Sequence, residues 1–540
     1  MKRSIIKGLR TPYRIRQVVQ GLFFVLFLYL FGRAAFPLRS ILPVDLFLRM
    51  DPLLGLTVLF ADKVVIAGLL LAVPLMLATV LWGRFFCAYM CPMGTSIDVL
   101  DFLLLRKVPR RGLKNPLLLR NLPYYLLFSM LGASLLGIVF LHLLDPICII
   151  TRTSALVFFP FFLRAGNLGL DLLRLLGRQL DIPGLVHAPY DQAAFSMNIL
   201  TLLLFGVIIG LSAVEPRFWC RNVCPLGGLF SLLARLSPFR GTLSEACIEC
   251  GRCTQICPLD AVAGRPEETI GSTCSLCLTC LSICPEHAIS FGMGRSRRYT
   301  EHRPIDLSRR GLLITLGVTI AGAALIPTNV YSRLKGRVIR PPGSIPEKSF
   351  LDRCVRCGEC MKACPTHTIQ PALLESGWEG LWTPQLIMRW APCDPECNVC
   401  GYVCPTRAIR PLPLEEKRTA HIGTAIVDRA MCWPWRGWRA CQICYDECRA
   451  ARYDAIVLQT AGGFKVPLVL EERCVGCGLC EFRCPVNEDK AARIKGQAAI
   501  VVHPDGEQRL SEGSYIALNR SKVLDKKGDN GKEYLPPFLR

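Results

Sequence analysis

The stretch WGRFFCAYMCPMG, Trp82–Gly94, ends one apolar segment, and it returns as EPRFWCRNVCPLG, Glu215–Gly227, at the end of another. Arg84-Phe85-Phe86-Cys87 matches Arg217-Phe218-Trp219-Cys220. Cys91-Pro92 with Gly94 matches Cys224-Pro225 with Gly227. A repeat of this kind marks a duplicated structural unit. Upstream of the copies stand Asp51-Pro52 and Asp145-Pro146, so each half reads as helix, outer Asp-Pro turn, helix, inner cysteine pair. Duplication predicts a pseudo-twofold four-helix bundle, with Cys87, Cys91, Cys220 and Cys224 gathered near one axis. Neither copy has enough cysteines to form an iron–sulfur run by itself.

The surroundings of the repeat are apolar. A chain of 540 residues is too long for one core. A hydrophobic share of 51% and a mean hydropathy of +0.35 point to a membrane protein with soluble parts attached. A spanning helix needs about 20 apolar residues. The candidates are Val18–Phe36, Val64–Trp82, Leu122–Leu144, Met197–Val214 and the shorter Leu312–Ile326. The basic start of the chain runs straight into the first of these and reads as an anchor, not a cleaved signal.

Charge sets the expected orientation. Lys2, Arg3, Lys7, Arg10, Arg14 and Arg16 put the N-terminus in the cytoplasm. The stretch 37–63 is nearly balanced and is expected outside. The loop with Arg84, Arg106, Lys107, Arg110, Arg111, Lys114 and Arg120 is expected inside, and the balanced stretch Asp145–Ala194 outside. Both cysteine pairs then end at the cytoplasmic face. The formal charge of +22 suggests nucleic acid at first sight. Much of it is juxtamembrane, and each four-iron cluster on four thiolates carries roughly −2. Nucleic-acid binding is therefore disfavoured.

Of 29 cysteines, 24 fall in six groups, which leaves the four inner ones and Cys148. Gaps this short suit metal ligation and not a disulfide framework. Cys247, Cys250, Cys253 and Cys257, then Cys274, Cys277, Cys280 and Cys284, each follow C-x-x-C-x-x-C-x-x-x-C-P. In two-cluster ferredoxins the fourth cysteine of each run ligates the other cluster. This assigns Cys247, Cys250, Cys253 and Cys284 to one [4Fe–4S] centre, and Cys274, Cys277, Cys280 and Cys257 to its partner. A second region holds Cys354, Cys357, Cys360 and Cys364; Cys393, Cys397, Cys400 and Cys404; Cys432, Cys441, Cys444 and Cys448; and Cys474, Cys477, Cys480 and Cys484. Pairing there is sequential or nested. Nesting, first run with fourth and second with third, is the expectation, since it matches regular runs with regular and stretched with stretched. The count is six [4Fe–4S] clusters, two cytoplasmic and four periplasmic.

Between the regions lies LSRRGLLITLGVTIAGAALIP, 307–327. Its twin arginine before an apolar stretch has the form of an export signal for the twin-arginine machinery, here internal. The plainer reading is two basic residues at the inner end of a spanning helix. Both readings place the chain from Arg340 outside. The expected domains are a membrane bundle (1–240), a cytoplasmic two-cluster domain (241–300), the signal-like helix (305–335), a periplasmic four-cluster domain (340–500) and a polar tail (501–540). The fold class is multi-domain: an α-helical membrane bundle of duplicated helix pairs, with α+β ferredoxin-like domains on both sides.

On these motifs, residues of about 1–300 resemble the NapH/MauN family of membrane ferredoxins. Those of about 305–500 resemble the NapG/MauM family of exported four-cluster ferredoxins, through SRRGLL, RPPGSIPEKSF, GLWTPQL and PCDPECNVCGYVCPTRAI. NosR-like proteins share the paired membrane motif, but no N-terminal flavin-binding domain is seen here. The resemblance implies oxidation of quinol from the membrane pool at the bacterial cytoplasmic membrane. Electrons would then go to a periplasmic redox enzyme or cytochrome. The fusion leaves the usual partner, a periplasmic nitrate reductase, open.

Cys87, Cys91, Cys220 and Cys224 are expected to form a redox site, either an additional metal cluster or a dithiol relay. The plainer reading is buried cysteines closing helix ends. For a quinol site Asp51, Asp145 and His142 are the candidate proton acceptors, although Asp-Pro also simply starts a turn. Cys148 has no evident partner and reads as structural. Two rivals remain: a maturation or regulatory redox protein for a partner metalloenzyme, and a transmembrane conduit without quinone.

Overall fold

The computed structural model describes residues 2–105, 117–179, 193–262, 268–293, 300–301, 307–325, 338–488 and 498–504. Arg106, Lys107, Arg110, Arg111, Lys114 and the tail beyond Asp505 lie outside the described residues.

Proline decides where the helices of the first part begin. In chain order these are α1 (Lys2–Arg33), α2 (Pro52–Asp62), α3 (Ala72–Trp82), α4 (Pro92–Leu100), α5 (Leu117–Leu135), α6 (Pro146–Thr153), α7 (Phe159–Gln179), α8 (Asn198–Gly210), α9 (Pro225–Ala234) and α10 (Arg309–Leu325). Four of them, α2, α4, α6 and α9, start on the prolines of the repeat. Proline suits the first helical position, because that N–H has no partner anyway and φ is already set. Asp51 caps α2, its Oδ1 accepting from Leu53 N (2.9 Å) and Leu54 N (3.4 Å). Asp145 caps α6 in the same way, from Ile147 N and Cys148 N, both 2.9 Å.

The halves interlock. α4 of the first half packs on α6 of the second, α9 of the second packs on α2 of the first, and both α2 and α9 lie against α5. The expected four-helix bundle is thus too simple, since short half-helices begun at Asp-Pro and Cys-Pro fill its middle. The Asp-Pro steps are not solvent-exposed turns. Both aspartates are fully buried at 0% exposure, because each must reach the N–H groups of a helix that starts inside the core.

Among the described residues, two helices are long and apolar enough to cross a membrane, Tyr13–Arg33 and Pro146–Asp171. The second lies within the charge-balanced stretch Asp145–Ala194. Its Arg152 is buried, with the guanidinium 4.7 Å from the centre of the Trp382 ring. α6 runs through a widened turn, 154–158, straight into α7. The other expected segments form α3, α5, α8 and α10, shorter than a full span or broken at their ends. α10 packs along α5, with Thr319 Oγ1 donating to Ser129 Oγ at 2.9 Å beside Gly132.

Two α+β modules follow the repeat. The first has a four-stranded sheet, β1 (Phe239–Leu243), β2 (Glu268–Thr269), β3 (Ile289–Met293) and β4 (Thr300–Glu301), ordered β3-β1-β2-β4. β1 and β3 run antiparallel with Gly241 opposite Phe291. The second module begins with α11 (Glu347–Arg353) and α12 (Glu359–Ala363). It carries three two-stranded sheets: β5 (Ile369–Pro371) with β6 (Pro384–Leu386), β7 (Thr424–Val427) with β10 (Ile500–His503), and β8 (Ile456–Ala461) with β9 (Phe464–Val469).

The second module sits on the helical part through cations of its first cysteine run. Lys362 Nζ donates to the carbonyls of Phe31 (2.6 Å), Gly32 (3.0 Å) and Ala34 (2.7 Å), which ends α1. Arg356 reaches Val139 O at 3.1 Å, and Arg353 pairs with Asp62 at the end of α2. Trp382 Nε1 donates to Thr201 Oγ1 on α8 at 2.9 Å. These bonds place run one of the module closest to the bundle.

Candidate iron–sulfur centres and a four-cysteine site

Each regular run turns its backbone back on itself. Gly358 and Gly478 take φ of 82° and 80° at the turn before a short helix, a region that glycine enters without steric cost. The turn directs three thiols inward, and a fourth arrives from a neighbouring run. Four cavities of about 350–390 Å³ are each lined by such a three-plus-one set. Cys247, Cys250, Cys253 and Cys284 line one, and Cys354, Cys357, Cys360 and Cys404 another. Cys432, Cys441, Cys444 and Cys484 line a third, and Cys448, Cys474, Cys477 and Cys480 a fourth. Cys257 stands beside Cys274, Cys277 and Cys280, and Cys364 beside Cys393, Cys397 and Cys400.

The nested order therefore does not hold. Run one exchanges its fourth cysteine with run two, and run three with run four. The exchange is between runs adjacent in sequence, with the β5–β6 hairpin lying between Cys364 and Cys393. Among the described residues, no three His, Cys, Asp or Glu side chains are close enough for a single metal ion. The wider sets suit a multi-iron centre with thiolate ligands. Burial pushes the thiols up, Cys397 to about 11 and Cys444 and Cys477 to about 12, so iron must displace their protons.

The sets follow one another. Val355 and Cys357 share a buried cluster with Ile147 and Cys148 of α6. Cys393 N donates to Cys477 O at 2.9 Å, which brings run two against run four. Cys444 neighbours Cys480. The order from the bundle outward is thus the Cys354, Cys393, Cys474 and Cys432 sets. At the far end Trp438 is 62% exposed, with the Arg436 guanidinium 3.4 Å from its ring centre. The first module meets the bundle at the opposite end. Tyr89 Oη donates to Leu276 O (3.1 Å), and Arg221 pairs with Asp260 (2.9 Å).

Cys87, Cys91, Cys220 and Cys224 come together near that end, in one buried cluster. The two matched arginines cross over. Arg84 of the first half donates to Cys220 O (3.0 Å) and Ser231 Oγ (3.2 Å) of the second, and to Cys87 Sγ (3.2 Å). Arg217 of the second half reaches Cys87 O (3.4 Å) and clasps Asp98 at 2.7 and 2.5 Å. The matched glycines make room. A Cβ at Gly227 would collide with the Arg84 guanidinium, and one at Gly94 would lie 3.0 Å from Cys87 O.

Asp51 and Asp145 also meet, their carboxyls in contact. Burial pushes both carboxyls up, and the nearby Asp145 carboxylate pushes Asp51 up further. His142 is 1% exposed, with Nε2 2.7 Å from Thr57 Oγ1. The structure gathers all three candidates, but in a closed core where each already has structural work. Cys148 is buried in the same core, its N–H given to Asp145.

Sequence reasoning missed a cleft of about 600 Å³ beside Cys220, lined among others by Arg84, Arg120, Tyr124, Asn222, Gly228 and Ser231. Its walls come from α5, α9 and the first module, and no local motif joins these. The signal that could have found it is Gly227-Gly228 at the start of α9. A Cβ at Gly228 would lie 3.0 Å from Pro123 O.

Two family models described as 4Fe-4S binding domains match the chain. One covers residues 64–111 and 197–242, including both cysteine pairs, and the other covers 350–370 and 467–487. Such cysteine sets on α+β modules define an iron–sulfur electron-transfer protein of the ferredoxin type. The chain is 39% identical over 214 residues to the methylamine utilization ferredoxin-type protein MauM of Methylorubrum extorquens, covering 37% of this chain and 91% of that protein. It is 35% identical over 186 residues to the ferredoxin-type protein NapG of Escherichia coli, 33% of this chain and 79% of that one. The chain belongs to this MauM/NapG family of ferredoxin-type proteins. A putative electron transport protein, YccM of Escherichia coli, is 27% identical over 201 residues, 36% of this chain and 46% of its own length. No solved structure matches.

Proposed function

We propose that the chain is a fused membrane electron-transfer unit that oxidises quinol and delivers the electrons to a periplasmic redox enzyme or cytochrome. The single observation that carries this reading is the succession of cysteine sets on both ends of one helical part. [4Fe–4S] clusters at these sets, when bound, supply one-electron transfer; the chain holds them in order and shields them from water. A bilayer around the bundle is supported by the outward apolar faces of α1, α3, α8 and α10, where Val18, Leu77, Ile199 and Leu313 are all more than half exposed. Patches of that extent mark an apolar environment. With the basic N-terminus inside, the Cys247–Cys284 module is cytoplasmic and the module from Arg340 periplasmic. The likeness of the first part to NapH/MauN proteins, and of Arg309-Arg310 to a twin-arginine export signal, fits this orientation.

Quinol must reach its site and lose two electrons and two protons. Asp51, Asp145 and His142 are sealed in the core, whereas the cleft beside Cys220 is open and has Tyr124 and Ser231 in its wall. We take the cleft as the quinol site. Cluster-loaded protein purified without oxygen and mixed with a reduced quinol analogue should bleach its cluster absorbance. Tyr124→Phe with Ser231→Ala should slow the bleaching about tenfold or more. Unchanged absorbance in the unaltered protein would remove the quinol reading. One observation favours a conduit without quinone: both modules touch the bundle. In that case a reductant of the cytoplasmic module alone would bleach the periplasmic clusters.

A further inference from the structure

We propose that Cys87, Cys91, Cys220 and Cys224 bind one iron–sulfur centre shared between the two halves, with the crossed Arg84 as its buried counter-charge. The proposal rests on the electron-transfer reading above and decides between a metal cluster and a dithiol relay.

Charge makes the decision. Arg84 is 3% exposed, and its N–H groups donate to a thiol sulfur, a hydroxyl and a carbonyl. Among the described residues no carboxylate pairs with it, whereas Arg217 is neutralised by Asp98. A buried guanidinium without an anion costs several kcal/mol. Neutral thiols or a disulfide would leave that cost standing. Four thiolates around an oxidised [4Fe–4S] core carry roughly −2 and remove it.

Helix ends act in the same direction. α4 and α9 begin at Cys91 and Cys224, so the positive ends of both dipoles meet at the sulfurs. Gly227 N already donates to Cys224 Sγ at 3.2 Å. Each half supplies two ligands, and neither half alone completes the set. The same arrangement accounts for the repeated Arg and Gly. Each arginine ties the cysteine loop of the other half, and the opposing glycine leaves space for it.

The test is iron and labile sulfide per chain in the full-length protein made without oxygen, with electron paramagnetic resonance of the reduced samples. Six ferredoxin centres hold about 24 irons and a seventh makes about 28. The variant Cys87→Ser with Cys91→Ser should lose the whole increment, about four irons, because the centre is shared. It should keep the signals of the six ferredoxin centres, which report that the chain has folded. A loss of about two irons identifies a two-iron centre at the same ligands and still supports the proposal. Arg84→Gln should shift the potential of the extra centre to more negative values, and Arg84→Lys should restore it. About 24 irons in the unaltered protein, or the same iron in the variant, overturns the proposal and leaves the electron-transfer reading intact. Absence of the 24 overturns that reading instead.

Discussion

Lys362 illustrates how much one buried cation holds. Its ammonium closes three carbonyls at the end of α1, and the Phe31 and Phe159 rings lie 5.0 and 5.4 Å away. Lys362→Met would leave acceptors buried and unpaired, at about 1–3 kcal/mol. The expected outcome is faster hydrogen exchange at the end of α1 and in α12, with iron content unchanged. Cys404 makes a second single-residue case. Cys404→Ser should damage the centre at Cys354, Cys357 and Cys360 and spare the one at Cys474. Nested pairing would have Cys484→Ser do that, so iron content and resonance spectra of both variants separate the two orders. The cluster cysteines were legible in the sequence because their spacing is local. Which run lends its fourth ligand was not, since that depends on how neighbouring runs pack. The tasks of Lys362, Arg356 and Arg84 were equally hidden, because most of their partners are carbonyls distant in sequence.

Elements carry the next lesson. The repeat, the X-Pro starts and the apolar segments were readable from the chain, and so was the meeting of the four inner cysteines. The half-helices were not, because α2 and α4 are too short to span and fall in stretches that charge alone reads as loops. The burial of the capping aspartates Asp51 and Asp145 was equally hidden, because it depends on packing between the halves. At the seat between α11 and α2, Asp352 adds a pH response. Burial, with Glu379 and Asp62 nearby, pushes its carboxyl up from 3.8 to about 7. A negatively charged cluster at Cys354 acts in the same direction. The folded state therefore favours the protonated acid. Its contribution is full below the unfolded value and is lost as pH rises through about 7. Protease cutting or hydrogen exchange around α11 should increase between about pH 4 and pH 7 and level off above that. Asp352→Asn should flatten that dependence; an unchanged slope would show that another group sets it.

At the scale of the whole molecule, the order of the sets makes a directional claim. The Cys354 set touches the bundle, the Cys393 and Cys474 sets lie between, and the Cys432 set ends at an exposed surface of Trp438 and Arg436. A line with distinct ends responds differently to damage at each. Cys441→Ser removes a ligand of the terminal set only, so reduction of the other centres by quinol should proceed at its normal rate. Transfer from those centres to a soluble protein oxidant should fall by about tenfold or more, since the acceptor would have to approach a more deeply buried centre. Cys357→Ser, at the seat, should do the reverse and leave the outer centres oxidised when quinol is added. Both variants can be followed by stopped-flow absorbance with the same quinol analogue and the same oxidant. Equal effects at the two ends would mean that electrons enter the periplasmic module by another route, and the Cys354 contact with the bundle would then be purely structural.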